Sequence, residues 1–246
     1  MNKIPKIAHL CWKRRDVVDN QSPLILNGIR NLIDLNPDWE VTIHEDLDVD
    51  EYLRSKLDAA DYDLIKDRHI VEKSDLWRLI KLYYEGGLYM DIDRFCNCNL
   101  SNLLEPGITC VLPTSLDYDF SQDFMLSAPG NPLYLETINL NLSRRREGWK
   151  NVYFLGAQTY MHAITKLVCG QVIDTNPGLD TFNKIRQDLR NFPFIKTYRE
   201  SPPFDTVIYK HDNNIWRGGD ASDINWESLK RSLYGQYDIK HWTGEW

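Results

Sequence analysis

No run of about 18 consecutive apolar residues occurs in the 246-residue chain, so the sequence offers no membrane-spanning helix. Met1 to Lys6 contain no apolar h-region, and no secretory leader is expected. Cysteine is scarce. The five, Cys11, Cys96, Cys98, Cys110 and Cys169, are odd in number and follow no framework spacing, which points to free thiols in a reducing compartment. Cys96 and Cys98 lack the second pair that a four-ligand zinc site needs. Positive charge is in deficit: 29 Lys and Arg against 36 Asp and Glu give a net charge of -7, which argues against nucleic-acid binding. There is no G-x-x-x-x-G-K-[ST] phosphate loop and no G-x-S-x-G nucleophile turn. Internal repeats and low-complexity segments are also missing. With neither leader nor anchor in view, a cytoplasmic location in a bacterial or virus-infected cell is expected, rather than residence in the Golgi. A peripheral contact with a membrane stays open.

What is present is an ordinary globular composition, 42% hydrophobic and 26% charged. The 8 Trp and 13 Tyr suit sugar stacking, although aromatics in such numbers more often fill a core. The basic runs Lys13-Arg14-Arg15 and Arg144-Arg145-Arg146 read as solvated faces, the second at a helix end where positive charge suits the dipole. Ile4 to Trp12 and Trp39 to His44 read as strands. Between them a helix starts near Ser22-Pro23 and stops at Asn36-Pro37-Asp38. Asp50 to Lys66 reads as a surface helix. Later strands are expected at 108–112, 124–127, 206–209 and 237–242, and helices at 132–146 and 156–168.

The most informative block is Glu72 to Arg94, EKSDLWRLIKLYYEGGLYMDIDR, with SDLWRLIKLYYEGGLYMDID at its centre. Ser74 is a good N-cap, and Leu76, Leu79, Ile80 and Tyr83 follow with amphipathic spacing. Gly86-Gly87 supplies a stop, and Leu88-Tyr89-Met90 begins a buried strand that runs into Asp91-Ile92-Asp93. In a strand, residues two apart share a face, so Asp91 and Asp93 can aim both carboxylates at one divalent cation. Asp-x-Asp by itself is weak, since it recurs at Asp46/Asp48, Asp48/Asp50, Asp61/Asp63 and Asp117/Asp119. The position after an apolar strand singles this pair out, because α/β sheets bind ligands at strand ends. Asp75 and Arg78, three apart, share a helix face. They are either a surface ion pair with a capping Asp, or a pair that reaches a sugar.

The block resembles the Asp-x-Asp sugar-binding region of family 32 glycosyltransferases and the related region of clostridial glucosylating toxins. Ile4 to Trp12 is similar to the family opening, Asn36-Pro37-Asp38-Trp39-Glu40 to its second strand entry, and Phe124 to Pro132 to its later strand and turn. The resemblance covers roughly residues 4 to 168 and returns at His241-Trp242-Thr243-Gly244-Glu245-Trp246. It implies a GT-A fold: one Rossmann-like mixed α/β sheet flanked by helices, with a small acceptor-side annex. Residues 1–115 or so would form the nucleotide-sugar part and 116–246 the acceptor part with a C-terminal lid. It implies retaining transfer of a hexose from a nucleotide sugar, UDP-hexose favoured over GDP-mannose, to a glycan or glycoconjugate hydroxyl, with Mn²⁺ or Mg²⁺. Ile7, His9 and Trp12 would lie on the donor side of the first strand. Asp75 and Arg78 would hold sugar hydroxyls, and Tyr89 would line the pocket. Asp91 would meet ribose, sugar or metal, while Asp93 and His241 would ligate metal. Trp246 would cover the diphosphate. Asp123 stands where relatives often have Asn, and Gln158 lies in a segment where they often read Gly-Pro. These two are the candidates for steadying the oxocarbenium-like centre. A nucleotide-sugar hydrolase or phosphotransferase and a non-catalytic carbohydrate-binding protein are the alternatives.

Overall fold

A computed structural model describes residues 3–18, 23–92, 94–96, 99–114, 120, 122–173, 183–185, 187–199 and 208–210. The expected strand at 237–242 and the expected residues Asp93, His241 and Trp246 lie outside them.

Strand β1 (Ile7–Cys11) pairs in parallel with β2 (Glu40–His44) on one side and with β3 (Gly87–Met90) on the other. Helix α1 (Pro23–Leu35) makes the crossover from β1 to β2. It ends at Asn36, a fully buried side chain whose amide donates to Leu32 O at 2.9 Å and accepts from Leu100 N at 2.6 Å. That double bond is the physical content of the Asn-Pro-Asp-Trp motif. Helices α2 (Asp46–Lys56), α3 (Ala59–Asp63) and α4 (Ile70–Tyr84) lead to β3. The expected helix over 50–66 is thus two pieces, the first beginning earlier with a capping box at Glu45 and Asp48.

A short β4 (Arg94–Cys96) is followed by β5 (Cys110–Thr114) and β6 (Phe124–Ser127). Helices α5 (Pro132–Arg146), α6 (Val152–Leu155) and α7 (Ala157–Cys169) come next, then β7 (Ile195–Arg199) and β8 (Ile208–Lys210). The six-stranded mixed sheet has the order β2-β1-β3-β6-β5-β7, and β4 with β8 forms a separate two-stranded ribbon. β6 runs antiparallel to β3 and β5.

Alternation along the strands splits the core in two. Ala8, Leu10, Leu88, Met90, Phe124 and Leu126 pack with Ile29 and Leu32 of α1 on one face. Tyr89 and Met125 pack with Leu76, Trp77, Leu79 and Ile80 of α4 on the other. The turn into β3 depends on glycine: Gly87 has φ 93°, and a Cβ there would fall 2.4 Å from Ile7 O.

Three sequence expectations change here. Helix α4 starts at Ile70, not Ser74, and its N-cap is His69, whose ring accepts from Val71 N at 3.3 Å. Nor is α4 amphipathic: Glu72, Arg78 and Lys81 are buried along with its apolar residues, because the helix lies on the sheet with α2 and α5 at its sides. The Arg144–Arg146 run does end α5, but only Arg146 is solvated as expected, where it pairs with Asp61. Arg144 and Arg145 are each 6% exposed, and each has buried partners that hold its charge.

Candidate active site

Tyr89 and Asp91 lie on the α4 side of β3 by the same alternation. The Tyr89 hydroxyl donates to Asp91 Oδ1 at 2.5 Å. Across from them, Arg78 projects from α4 and reaches several groups at once. Its Nη2 donates to Asp75 Oδ1 at 2.6 Å. Nη1 donates to Gln122 O at 2.9 Å and stands 3.4 Å from Asp91 Oδ1. Nε lies 3.4 Å from Ser74 O, and the guanidinium sits 4.6 Å over the Tyr89 ring. Asp75 and Arg78 are therefore no surface pair, since their side chains are 16% and 9% exposed.

The charges are set by this packing. Burial raises the Asp75 pKa, and Arg78 offsets part of that rise. Burial opposes the charge on Arg78, yet Tyr89, Asp75 and Asp91 together hold its pKa above the ordinary value. Burial also carries the Tyr89 hydroxyl well above its usual range, so it remains a donor to Asp91. Of the acids in this cluster Asp91 is the most accessible, with 32% of its side chain exposed.

The backbone leaves the sheet at this point. Strand pairing ends at Met90, Asp91 N donates to Asp123 O at 2.8 Å, and Arg94 N bonds back to Asp91 O at 2.9 Å. Period-two alternation therefore extends from Tyr89 to Asp91 and is not imposed by the sheet beyond it. The Asp123 carboxylate is paired with the Arg94 guanidinium. Gln158 lies buried in the first turn of α7, two residues past Gly156. Trp12 follows β1 at the same end of the sheet, half-buried, with its N–H on His44 O at 2.9 Å.

The structure does not bring Ile7 or His9 into this cluster. Ile7 opens β1 at the far end of the strand from Cys11. His9 is 2% exposed, with Nε2 3.1 Å from Gly86 O and Nδ1 3.4 Å from His44 Nε2. Burial, with Lys81 and His44 nearby, lowers the His9 pKa to about 4. His44 is lowered to about 4 by burial and Lys81. Both rings are therefore neutral in the native state down to that pH, whereas unfolded histidine takes its proton near 6.5. Stability is full above about pH 6.5 and falls as the pH drops toward 4, because the unfolded chain then binds more protons. We expect the His9 share of that loss to be on the order of 3 kcal/mol. Urea unfolding at a series of pH values measures it, and His9→Gln should flatten the slope.

Several members of the site carry no sequence signal of their own. Cys11 Sγ lies 3.7 Å from Ser74 Oγ and 3.8 Å from Tyr89 Oη, and burial raises its pKa, which favours the thiol over the thiolate. Gln122 gives Arg78 its carbonyl and donates from Nε2 to Gly156 O at 3.3 Å. A Cβ on Gly156 would meet Asp75 Oδ2 at 2.9 Å.

A divalent cation is the chemistry that an Asp-x-Asp pair suggests. Asp91 fits as one hard oxygen ligand: with Oδ1 taken by Tyr89 and Arg78, Oδ2 is the oxygen with capacity for an ion. Among the described residues no three His, Cys, Asp or Glu side chains converge on a common point. Asp93 and His241 lie outside those residues.

A family profile described as a glycosyltransferase sugar-binding region containing a DXD motif matches residues 24–107, which include Asp75, Arg78, Tyr89 and Asp91. Inositol phosphoceramide mannosyltransferase 3 of Schizosaccharomyces pombe is 29% identical over 57% of this chain and 38% of its own length. Mannosyl phosphorylinositol ceramide synthase CSH1 of Saccharomyces cerevisiae is 27% identical over 59% and 37%. The chain thus spans less than half the length of these relatives. Inositol phosphoceramide mannosyltransferase 2 of Schizosaccharomyces pombe is 26% identical over 91% of the chain and 61% of its own length. Among solved structures, PaToxG glycosyltransferase superposes with a TM-score of 0.53 at 19% identity, covering 77% of this chain and 78% of the other, which shows the fold.

These relatives overturn the cytoplasmic expectation. Their names attach them to inositol phosphoceramide, a membrane lipid, and not to a cytosolic glycan. A missing anchor does not fix a compartment. No described helix is long and apolar enough to cross a membrane, but that says nothing of where the protein works. Sheet order and superposition agree on a GT-A fold, and within it residues 24–107 match the DXD-containing sugar-binding region of glycosyltransferases.

Proposed function

We propose that the chain transfers a hexose from a nucleotide sugar to a glycan or glycolipid hydroxyl, with retention at the anomeric carbon and with Mn²⁺ or Mg²⁺. The observation that carries this reading is the buried Arg78, joined to Asp75 and Asp91 where β3 leaves the sheet inside the sugar-binding region. A fork of N–H donors between two carboxylates suits a ring of hydroxyls, which both accept and donate. Arg78 and Asp75 bind the hexose, and Tyr89 fixes the Asp91 carboxylate toward ribose, sugar or ion. When bound, the ion neutralises charge on the departing diphosphate. Asp91, Asp93 and His241 are its proposed ligands, and Trp246 the proposed cover over the diphosphate. Asp123 and Gln158 are proposed to face the positive charge that develops on the sugar, and Trp12, at the site end of β1, to line the donor side. Residues 1–115 or so would serve the nucleotide sugar and 116–246 the acceptor.

The mannosyltransferase names of the relatives put GDP-mannose beside UDP-hexose as the first donors to try. They also favour an inositol-phosphate lipid among acceptors. Trp149, Tyr153 and Phe154, exposed at 37%, 48% and 40%, stand just before Gly156 and would offer such an acceptor an aromatic surface. The test follows nucleoside diphosphate release from GDP-mannose and UDP-hexoses with Mn²⁺, with and without inositol phosphoceramide in mixed micelles. Acceptor-dependent release is expected. Release that ignores the acceptor makes the chain a hydrolase, and glycan binding without metal or nucleotide makes it a lectin-like protein.

A further inference from the structure

A buried polar circuit leaves α4 and returns to it. It starts at Glu72, which accepts from Arg145 Nη1 at 2.8 Å, the side chains being 9% and 2% exposed. Arg145 Nε donates to Asn141 Oδ1 at 2.8 Å. With its oxygen held, the Asn141 amide turns its nitrogen onto Leu155 O at 2.6 Å. The carbonyls on either side are held as well: Arg144 Nη1 donates to Phe154 O at 3.2 Å and Gln122 Nε2 to Gly156 O at 3.3 Å. Three consecutive carbonyls are thus pinned by buried side chains. What they pin is Gly156, whose backbone abuts Asp75 so closely that a Cβ would come within 2.9 Å of Oδ2. Asp75 is three residues on from Glu72, on the same helix.

An Asp carboxylate turns about a broad, two-fold χ2, so the single bond from Arg78 to Oδ1 does not set its plane. A backbone wall against Oδ2 does. A buried ion pair adds little stability over well-packed apolar residues, so what the polar choice contributes here is orientation.

We propose that Asn141, anchored by Arg145, is a positioning residue for donor-sugar recognition: it holds the Phe154–Gly156 turn against Asp75 and so fixes the carboxylate that meets the hexose. This rests on the reading of Asp75 as a sugar ligand. Asn141→Asp keeps the size and the bond from Arg145 but sets an acceptor against Leu155 O. Gly156→Ala reaches the same carboxylate from the other side. Calorimetry with Mn²⁺ compares each variant's affinity for GDP or UDP with that for the matching nucleotide sugar. Both variants should bind the nucleoside diphosphate as the native chain does and the nucleotide sugar about 10-fold more weakly, the scale of one charge-assisted hydrogen bond. Asp75→Asn is the control. If it shifts the ratio of the two affinities while Asn141→Asp and Gly156→Ala do not, the circuit has no positioning role. If Asp75→Asn leaves the ratio unmoved, the sugar-ligand reading itself falls. Parallel weakening of both ligands in Asn141→Asp and Gly156→Ala overturns the proposal in favour of plain packing.

Discussion

Arg78→Met is expected to lower the unfolding free energy by about 3–5 kcal/mol and to abolish detectable nucleotide-sugar binding. The guanidinium is paired with both Asp75 and Asp91, and without it two carboxylates remain near each other in a largely water-excluded site. Asp75 already has a raised pKa from burial, offset in part by Arg78, so its loss drives Asp75 further toward the neutral acid. The donor site then loses its cation and one of its charged acceptors together. Arg78→Lys separates charge from shape. An ammonium can satisfy Asp75, but it cannot at the same time reach Gln122 O, Ser74 O and Asp91 in a planar fork. Arg78→Lys should therefore recover much of the stability and little of the binding. Urea unfolding and calorimetry on the same samples decide it. Native-like sugar binding by Arg78→Lys would show that the fork is not used. In the double variant Arg78→Met with Asp75→Asn, part of the lost stability should return, because one uncompensated carboxylate is gone.

That cluster was half visible in the sequence, and the reasons are specific. Strand β2 follows from alternation, β1, β3 and β6 from short apolar runs, and the Gly86-Gly87 stop from glycine's freedom at positive φ, all local properties. Helix α5 was legible end to end because Asn131 caps it and Pro132 opens it. The start of α4 was not. A serine ahead of an apolar repeat is the commoner cap, yet His69 performs the task and Ser74 sits inside the helix.

Periodicity also failed on α4, since a helix covered on most sides buries polar residues wherever a partner exists. Glu72 finds Arg145, and Lys81 finds Glu85 at 2.8 Å. The same blindness applied to Arg144 and Arg145, whose partners Thr159 and Glu72 stand far off in sequence. β4 escaped notice because its pairing partner β8 lies more than a hundred residues on, where Arg94 meets Lys210. The spacing of Asp75 and Arg78 revealed a shared helix face, but their burial and the close approach of Gly156 depend on α5 and on the turn between α6 and α7, which return from much later in the chain. The cytoplasmic expectation was overturned by the names of relatives, not by any residue of this chain.

Asp91→Asn and Asp93→Asn test the other half of the proposal, the metal-assisted step, and Asp91 makes the sharper case. An asparagine at 91 can still accept from Tyr89 Oη and lie beside Arg78 through its amide oxygen, so the hydrogen-bond pattern at Oδ1 survives. Arg78 keeps Asp75 as its counter-ion, and the fold should unfold at nearly the native temperature. What disappears is the negative charge that a divalent cation requires, since an amide oxygen is a far poorer partner for a hard ion in the presence of water. Transfer should fall by at least about 100-fold, or roughly 2.7 kcal/mol, the usual cost of losing one electrostatic stabiliser. The same loss is expected of Asp93→Asn. Chelation of the native protein with EDTA should reproduce both variants, and Mn²⁺ should restore only the native chain. Nucleoside diphosphate affinity, measured with and without Mn²⁺, should depend on the ion in the native chain and hardly at all in the variants. Should both variants keep an Mn²⁺-dependent rate, the carboxylate pair is not the metal site.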